Sequence, residues 1–154
     1  MRKTMRIAGL FLAIMLLFTL TSCAPKTAEK GKEKMEKKGY TVTTTSTDVS
    51  IGSLFESKTE AVLVCSKEVD GKAVVASVFF YKNTDDAKSA YEKLKEENDK
   101  AIDELKEKIK NAESDEEKET LKESLAELKN YKVTKSGKVL VAGSKKAVND
   151  YTGL

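Results

Sequence analysis

The 154-residue sequence contains no histidine and no tryptophan, one proline and two cysteines. Without histidine, the usual Ser–His and Cys–His nucleophilic sites and all histidine-containing metal sites are excluded. The glycine-rich phosphate loops, the acidic calcium loop and the S-x-x-K motif are missing as well. We therefore expect a non-catalytic protein with no catalytic residue, no metal and no cofactor.

The first 22 residues have the pattern of a targeting segment. Three cations, Arg2, Lys3 and Arg6, precede an uncharged and mostly apolar run over residues 7–20. That run has the length of the apolar part of a signal peptide and is short for a membrane span. It ends in the four residues Leu20, Thr21, Ser22 and Cys23.

This four-residue segment resembles the bacterial lipobox, in which an aliphatic residue and two small residues precede a cysteine. The resemblance implies that the sulfur of Cys23 carries a diacylglyceryl group and that cleavage before Cys23 removes residues 1–22. A plain secretory signal with a chance cysteine is the alternative. Because two acyl chains anchor a protein stably, we expect a lipid-anchored protein at the extracytoplasmic face of the cell membrane, with the bilayer as its first partner.

Cleavage would also change the charge of the chain. The segment takes three of the 28 cations with it, which leaves 25 lysines, no arginine and 25 acidic residues. Lysine lacks the planar fork with which arginine binds phosphate and guanine. We therefore expect no nucleic-acid partner.

The remaining chain divides into a short tether over 23–33 and a single domain over 34–154. Residues 24–39 contain six lysines and three glutamates. Two interpretations stay open for this basic segment, namely contact with anionic lipid headgroups and a soluble spacer.

Hydrophobic periodicity and turn residues predict an α+β fold. We expect helices at 29–38, 48–58 and 144–151, and strands at 40–47, 61–69, 73–81, 131–134 and 138–142. Asp70-Gly71 predicts a tight hairpin, and Ser136-Gly137 predicts a second turn. The strand over 73–81 is apolar on both faces, which predicts a central position with both faces covered or one partly exposed.

Residues 84–130 are predicted to form an arm of two antiparallel helices, 84–112 and 114–130. Ser114 and Glu117 have the spacing of a capping box between them. One continuous helix that forms a coiled-coil dimer is the alternative. The first helix would span roughly 43 Å, against about 20 Å for a six-residue strand, so the arm should overhang the sheet. Residues 85–130 carry 16 acids and 10 lysines, which makes the arm acidic and the rest of the mature chain basic.

Cys65 is the second cysteine, in the predicted strand 61–69. We interpret it as a small buried apolar residue. A reactive or intermolecular thiol is the alternative, since it would be unpaired outside the cell.

Beyond its signal, the chain resembles small uncharacterised cell-envelope lipoproteins of Gram-positive bacteria. The resemblance is carried by Lys37–Val42, Phe79–Tyr81, Thr84–Ala87, Gly137–Val141 and Gly143–Ala147. It implies a fold and a location but no activity. The arrangement we expect is a small, mostly antiparallel sheet with helices on one face, possible in a ferredoxin-like order, plus the protruding helical hairpin.

Two functions are compatible with these expectations. The first is a membrane-anchored protein-interaction module of the cell envelope with an unknown protein partner. The second is a small-ligand-binding lipoprotein associated with a transporter, against which stand the small size of the chain and its lack of tryptophan.

Overall fold

The computed structural model describes residues 24–46 and 59–154. The predicted helix at 48–58, the signal segment over 1–22 and Cys23 lie outside the described residues. The strands are β1 (Thr41–Ser46), β2 (Thr59–Val69), β3 (Lys72–Tyr81), β4 (Tyr131–Ser136) and β5 (Val139–Ser144). The helices are α1 (Ala28–Lys37), α2 (Thr84–Asn111), α3 (Asp115–Lys129) and α4 (Lys145–Thr152).

The five strands form one sheet in the order β1-β2-β3-β5-β4, and every neighbouring pair is antiparallel. The predicted α+β class with an antiparallel sheet is therefore confirmed. The ferredoxin-like order is wrong. In such a split β-α-β unit another strand lies between the first two strands, whereas here β1 and β2 pair directly, with Val42 opposite Cys65.

Among the described residues, the two helices outside the arm, α1 and α4, share one face of the sheet, as predicted, and the first turns of the arm cover the other face. On the first face, α1 and α4 bury a core that includes Met35, Leu63, Val78 and Tyr151. On the second face, the first turns of α2 cover a smaller core around Phe79. Side chains alternate along a strand, and β3 and β5 are apolar at successive positions, so they supply apolar residues to both cores. The expectation that the strand over 73–81 is central is confirmed. Both of its faces are covered around Phe79, whereas the second face is partly exposed at Val75, which is 38% exposed.

Glycines with positive φ determine the two hairpins and one close strand contact. Asp70 (φ 53°) and Gly71 (φ 72°) form the predicted two-residue turn between β2 and β3. The second turn is at Gly137 and Lys138, one residue later than predicted. Gly143 lies within β5 rather than after it. Its φ is 153°, and a Cβ there would lie 2.3 Å from the carbonyl oxygen of Val75, so a side chain would collide with β3.

The arm is a helical hairpin, as predicted, and the continuous helix is wrong. Asn83 caps α2, since its side chain accepts a hydrogen bond from the Asp86 backbone N–H at 2.8 Å. At the far end, the Ser114 hydroxyl accepts from the Glu117 N–H at 3.1 Å, which confirms the expected cap of α3. The side chain of Glu117 also accepts from the Glu113 N–H at 3.3 Å.

Candidate functional site

The predicted lipidation site, Leu20 to Cys23, lies outside the described residues. The described chain begins at Ala24, the residue that follows Cys23 directly in the sequence. The surroundings of Ala24 therefore determine where a lipid on Cys23 would emerge from the domain.

Ala24 and Pro25 are packed on the domain and do not form a free tether. Ala24 is 7% exposed and belongs to the core of the first face. The Tyr151 hydroxyl donates a hydrogen bond of 2.9 Å to the Pro25 carbonyl oxygen. Three residues later α1 begins, with the Thr27 side chain accepting from the Lys30 N–H. The prediction of a tether over 23–33 is therefore wrong from residue 24 onward. We call the burial of Ala24 in the first core, together with the hydrogen bond between Tyr151 and Pro25, the N-terminal seat.

A glycine in α1 makes the N-terminal seat possible. A Cβ at Gly31 would lie 2.9 Å from the Tyr151 hydroxyl oxygen and 3.0 Å from the Leu63 Cδ1, so a larger residue would push α1 away from the core. Burial, with a smaller contribution from Cys65, raises the pKa of Tyr151. Its hydroxyl therefore stays neutral and remains a donor to the Pro25 carbonyl.

A second polar group, which we call the Asp150 cluster, ties α1, β1, β2 and α4 together. The Asp150 carboxylate accepts from the Tyr40 hydroxyl at 2.8 Å and lies within 4 Å of three lysine ammonium groups. These are Lys38 at 3.2 Å, Lys67 at 3.4 Å and Lys146 at 3.8 Å. The Lys67 ammonium also lies 4.0 Å from the centre of the Tyr40 ring, a distance that suits a cation–π contact.

The pKa of Asp150 reflects this environment. Burial alone would raise the pKa, but the hydrogen bonds from Tyr40 and Lys38, and the charge of Lys38, outweigh it and lower the pKa. Both carboxylate oxygens are already occupied by neighbours within the domain. The cluster therefore acts as an internal clamp, and it also engages part of the basic segment that the sequence offers for headgroup contact.

The arm presents an acidic surface, because residues 85–130 carry 16 acids and 10 lysines. Every apolar residue between positions 98 and 122 is only half-buried, namely Ala101, Ile102, Leu105, Ile109, Ala112 and Leu121. Of α2 only Ala87 is fully buried, and α3 contains no buried residue along its described length. An open groove of about 1080 Å³ runs along the hairpin and is lined by seven acidic residues and three lysines.

Where the arm meets the sheet, there is a concave surface between α3 and the β2–β3 hairpin. This depression of about 1000 Å³ is lined in part by Val69, Val74 and Tyr131, and the charged residues Glu123 and Lys146 line it as well. It combines apolar walls with charges of both signs.

A thiol and a hydroxyl are buried in the two cores, that of Cys65 in the first and that of Tyr81 in the second. Cys65 is fully buried in the first core, as predicted, and burial raises its pKa to about 11. Tyr81 is 3% exposed, and its hydroxyl has no hydrogen-bond partner among the described residues. Burial and the neighbouring Asp86 raise the pKa of Tyr81 to about 12. A protonated thiol is a poor nucleophile, so Cys65 is placed as a packing residue.

Among residues 24–46 and 59–154, no cluster of three or more Cys, Asp or Glu side chains has an arrangement that could hold a metal ion. The same part of the chain contains no helix with the length and apolarity needed to cross a membrane. No known family model, curated protein or solved structure is significantly similar to this chain.

The sequence indicated the buried cysteine and the acidic arm, but it missed the N-terminal seat and the Asp150 cluster. The seat joins residues 126 positions apart and the Tyr40–Asp150 bond joins residues 110 positions apart. The only local signal for the seat was Gly31 in the middle of a helix, where glycine is unfavourable unless a neighbour approaches closely.

Proposed function

We propose that this protein is a membrane-anchored, extracytoplasmic lipoprotein of the cell envelope, held in the bilayer by a diacylglyceryl group on Cys23. It acts without catalysis, as a module that binds another protein through its helical arm. The observation that carries the anchor is the sequence Leu20-Thr21-Ser22-Cys23 at the end of a basic and then apolar segment. The packed position of Ala24 is compatible with an N-terminus that begins at Cys23.

The two cysteines give the anchor a matched test. In a bacterial host that processes lipoproteins, the wild-type chain should incorporate labelled fatty acid and stay with the membrane fraction. Cys23→Ala should lose the label and be released or stay unprocessed, whereas Cys65→Ala should behave as wild type. Wild-type protein without label, together with unchanged membrane retention of Cys23→Ala, would contradict the anchor.

The arm is the surface that supports protein binding. The distal parts of its two helices bury their apolar side chains only partly, so they contribute little to the stability of the domain. Residues 85–130 also carry 16 acids against 10 lysines. Charge complementarity steers association toward surfaces of opposite sign, so the partner that fits is a protein with a lysine- or arginine-rich face. Its binding should weaken as salt rises.

A photo-crosslinking residue can test this partner in intact membranes. Placed at Glu104 on the arm, it should give one discrete adduct, and placed at Lys72 on the β2–β3 hairpin it should give none. The adduct should fade at high salt and in a variant that carries amides at Glu96, Asp99, Asp103 and Glu107. An adduct that survives both changes would exclude recognition by charge, and no adduct from the arm would exclude the arm as the binding surface.

The depression beside Tyr131 and Val74 supports a second candidate, a small-ligand-binding lipoprotein that serves a transporter. Its apolar walls and charged lining residues are the features of a site for a small amphipathic molecule. A compound that raises the unfolding temperature of the wild type but not of Ala73→Trp, which would fill the depression, would favour this function over the first.

A further inference from the structure

We infer that the domain is held at the bilayer in one orientation, with the end of the sheet beside Ala24 against the lipid headgroups and the arm pointing away from them. This inference rests on the proposed lipid anchor at Cys23. It identifies the bilayer-facing surface of the body, by which we mean the domain without the arm, and the direction in which the arm presents its partner-binding surface.

The proposed anchor has no free spacer. Cys23 is joined to Ala24 by one peptide unit, so their Cα atoms are about 3.8 Å apart. Ala24 is 7% exposed, and the Pro25 carbonyl is held by the Tyr151 hydroxyl at 2.9 Å. A lipid on Cys23 therefore starts within one residue of the body surface, and its acyl chains pull this surface to the headgroups.

The N-terminal seat lies at one end of the sheet. Lys26 and Glu29 line a small depression together with Glu60 and Phe80, which places them where β2 begins and β3 ends. Phe80 pairs with Val139 at the start of β5. The N-terminal seat, the start of β2 and the Gly137–Lys138 turn therefore share one end of the sheet, which we call the seat end.

The arm extends away from the seat end. Helix α2 begins at Thr84, just after β3 ends at the seat end, and packs on the second face up to Leu94. It then continues to Asn111, and β4 starts from the opposite end of the sheet, where Tyr131 pairs with Ser144. With 28 residues, α2 is roughly 42 Å long. The tip of the arm therefore lies on the order of 40 Å from the seat end.

Surface charge does not set the orientation. Among the described residues, the exposed charges of the seat end are mixed, with lysines at 26, 82 and 138 and acids at 29, 60 and 85. Such a surface has little net attraction for anionic lipid. The orientation is therefore set by the short connection to the anchor, and it should be the same on zwitterionic and anionic bilayers.

Collisional quenching by lipids with a spin-labelled headgroup tests this orientation in the lipid-bearing protein reconstituted into vesicles. A fluorophore is attached to a single introduced cysteine, Lys138→Cys at the seat end or Glu113→Cys at the tip, each in a Cys65→Ala chain. We expect quenching several-fold stronger at residue 138 than at residue 113, on vesicles with and without anionic lipid. Equal quenching, or stronger quenching at residue 113, would overturn the orientation.

A linker variant tests the cause. Inserting a flexible glycine- and serine-rich segment of about 12 residues between Cys23 and Ala24 should remove most of the contrast between the two probes, because such a linker behaves as a random coil. An unchanged contrast would mean that the seat end itself binds headgroups and would overturn the role of the short connection. Lipid-bearing protein with the wrong contrast refutes only the orientation, whereas a chain that never acquires lipid refutes the anchor and the orientation together.

Discussion

At the scale of single residues, we expect removal of the hydroxyl to have opposite effects on stability at the two buried tyrosines, Tyr81 and Tyr151. The Tyr151 hydroxyl donates to Pro25, whereas the Tyr81 hydroxyl has no partner among the described residues. Removing a satisfied hydroxyl loses about 0.5–1.5 kcal/mol, while removing an unsatisfied one relieves its desolvation penalty. Tyr151→Phe should therefore lower the free energy of unfolding by about 1 kcal/mol, and Tyr81→Phe should leave it unchanged or raise it.

Chemical denaturation of the two variants, which differ from wild type by one oxygen each, provides the comparison. A loss in Tyr81→Phe equal to that in Tyr151→Phe would mean that the Tyr81 hydroxyl has a partner outside the described residues. The Tyr151 variant is also the mildest way to loosen the N-terminal seat without creating a cavity.

Cys65 gives a second prediction at this scale. The thiol is fully buried, and its pKa is raised to about 11, so at neutral pH it is both inaccessible and protonated. Since the thiolate is the reactive form, a thiol reagent should modify Cys65 of the Cys23→Ala protein orders of magnitude more slowly in buffer than in denaturant. Rapid modification in buffer would contradict its burial, and a disulfide-linked dimer would favour the intermolecular alternative.

The Asp150 cluster predicts a specific dependence of stability on pH. The pKa of Asp150 is lowered below its ordinary value of 3.8, so the folded state favours the charged carboxylate. This contribution is fully present above the unfolded pKa and is lost as the pH falls through the lower folded pKa. Asp150→Asn should cost about 1–2 kcal/mol at neutral pH, and the difference from wild type should shrink as the pH falls below about 4.

Unfolding free energies measured from neutral to acidic pH would show this convergence. Asp99→Asn removes the same charge from the exposed arm and serves as the control, for which we expect a difference within about 0.5 kcal/mol. A cost of Asp150→Asn that stays constant across the acidic range would mean that the side chain acts through its shape and not through its charge.

At the scale of elements, the distal arm should be dispensable for folding. Contacts of α2 with the second core end at Leu94, and beyond it the two helices bury their apolar side chains only partly. Ordering each residue costs about 1–2 kcal/mol, so the thin apolar seam contributes little net stability. Replacing Asn98–Lys122 by a short turn should leave a cooperatively folding body with a similar unfolding temperature.

A pair of leucine substitutions compares the part of the arm that packs on the second core with the distal part. Leu94→Ala opens the second core and should cost about 2 kcal/mol, in the lower part of the range for buried leucines, whereas Leu121→Ala in the distal arm should cost less than about 1 kcal/mol. If the deletion abolishes folding, or if Leu121→Ala costs as much as Leu94→Ala, the distal arm packs on the body, and the argument that it is kept for binding falls.

The elements were predicted far better from the sequence than their arrangement. Asp70-Gly71 fixed one hairpin because its preference for positive φ is local, and Ser114 marked the start of α3 for the same reason. The order of the strands and the second helical face depend on contacts between distant residues. An apolar residue such as Phe79 or Leu140 is simply buried, and the sequence does not say which helix covers it.

At the scale of the whole molecule, stability should decline along the axis from the sheet to the tip of the arm. Strands β3 and β5 lie between two covered faces, so their amides should exchange only through global unfolding. Helix α3 and the distal part of α2 are solvated on most sides, so their amides should exchange through local opening at a much lower free energy.

Hydrogen exchange of the Cys23→Ala chain, read by mass spectrometry of peptides, measures this gradient directly. We expect the strongest protection in Lys72–Tyr81 and Val139–Ser144 and the weakest in 98–122, at every protein concentration. Protection of 98–122 that rises with concentration would mean that two arms pack together and bury the half-exposed stripe of Ile102, Leu105 and Ile109. Since both arms are acidic, such packing should require high salt to screen their repulsion. At low salt the protein should therefore be monomeric, and both the apolar stripe and the acidic surface of its arm are then free to bind a basic partner.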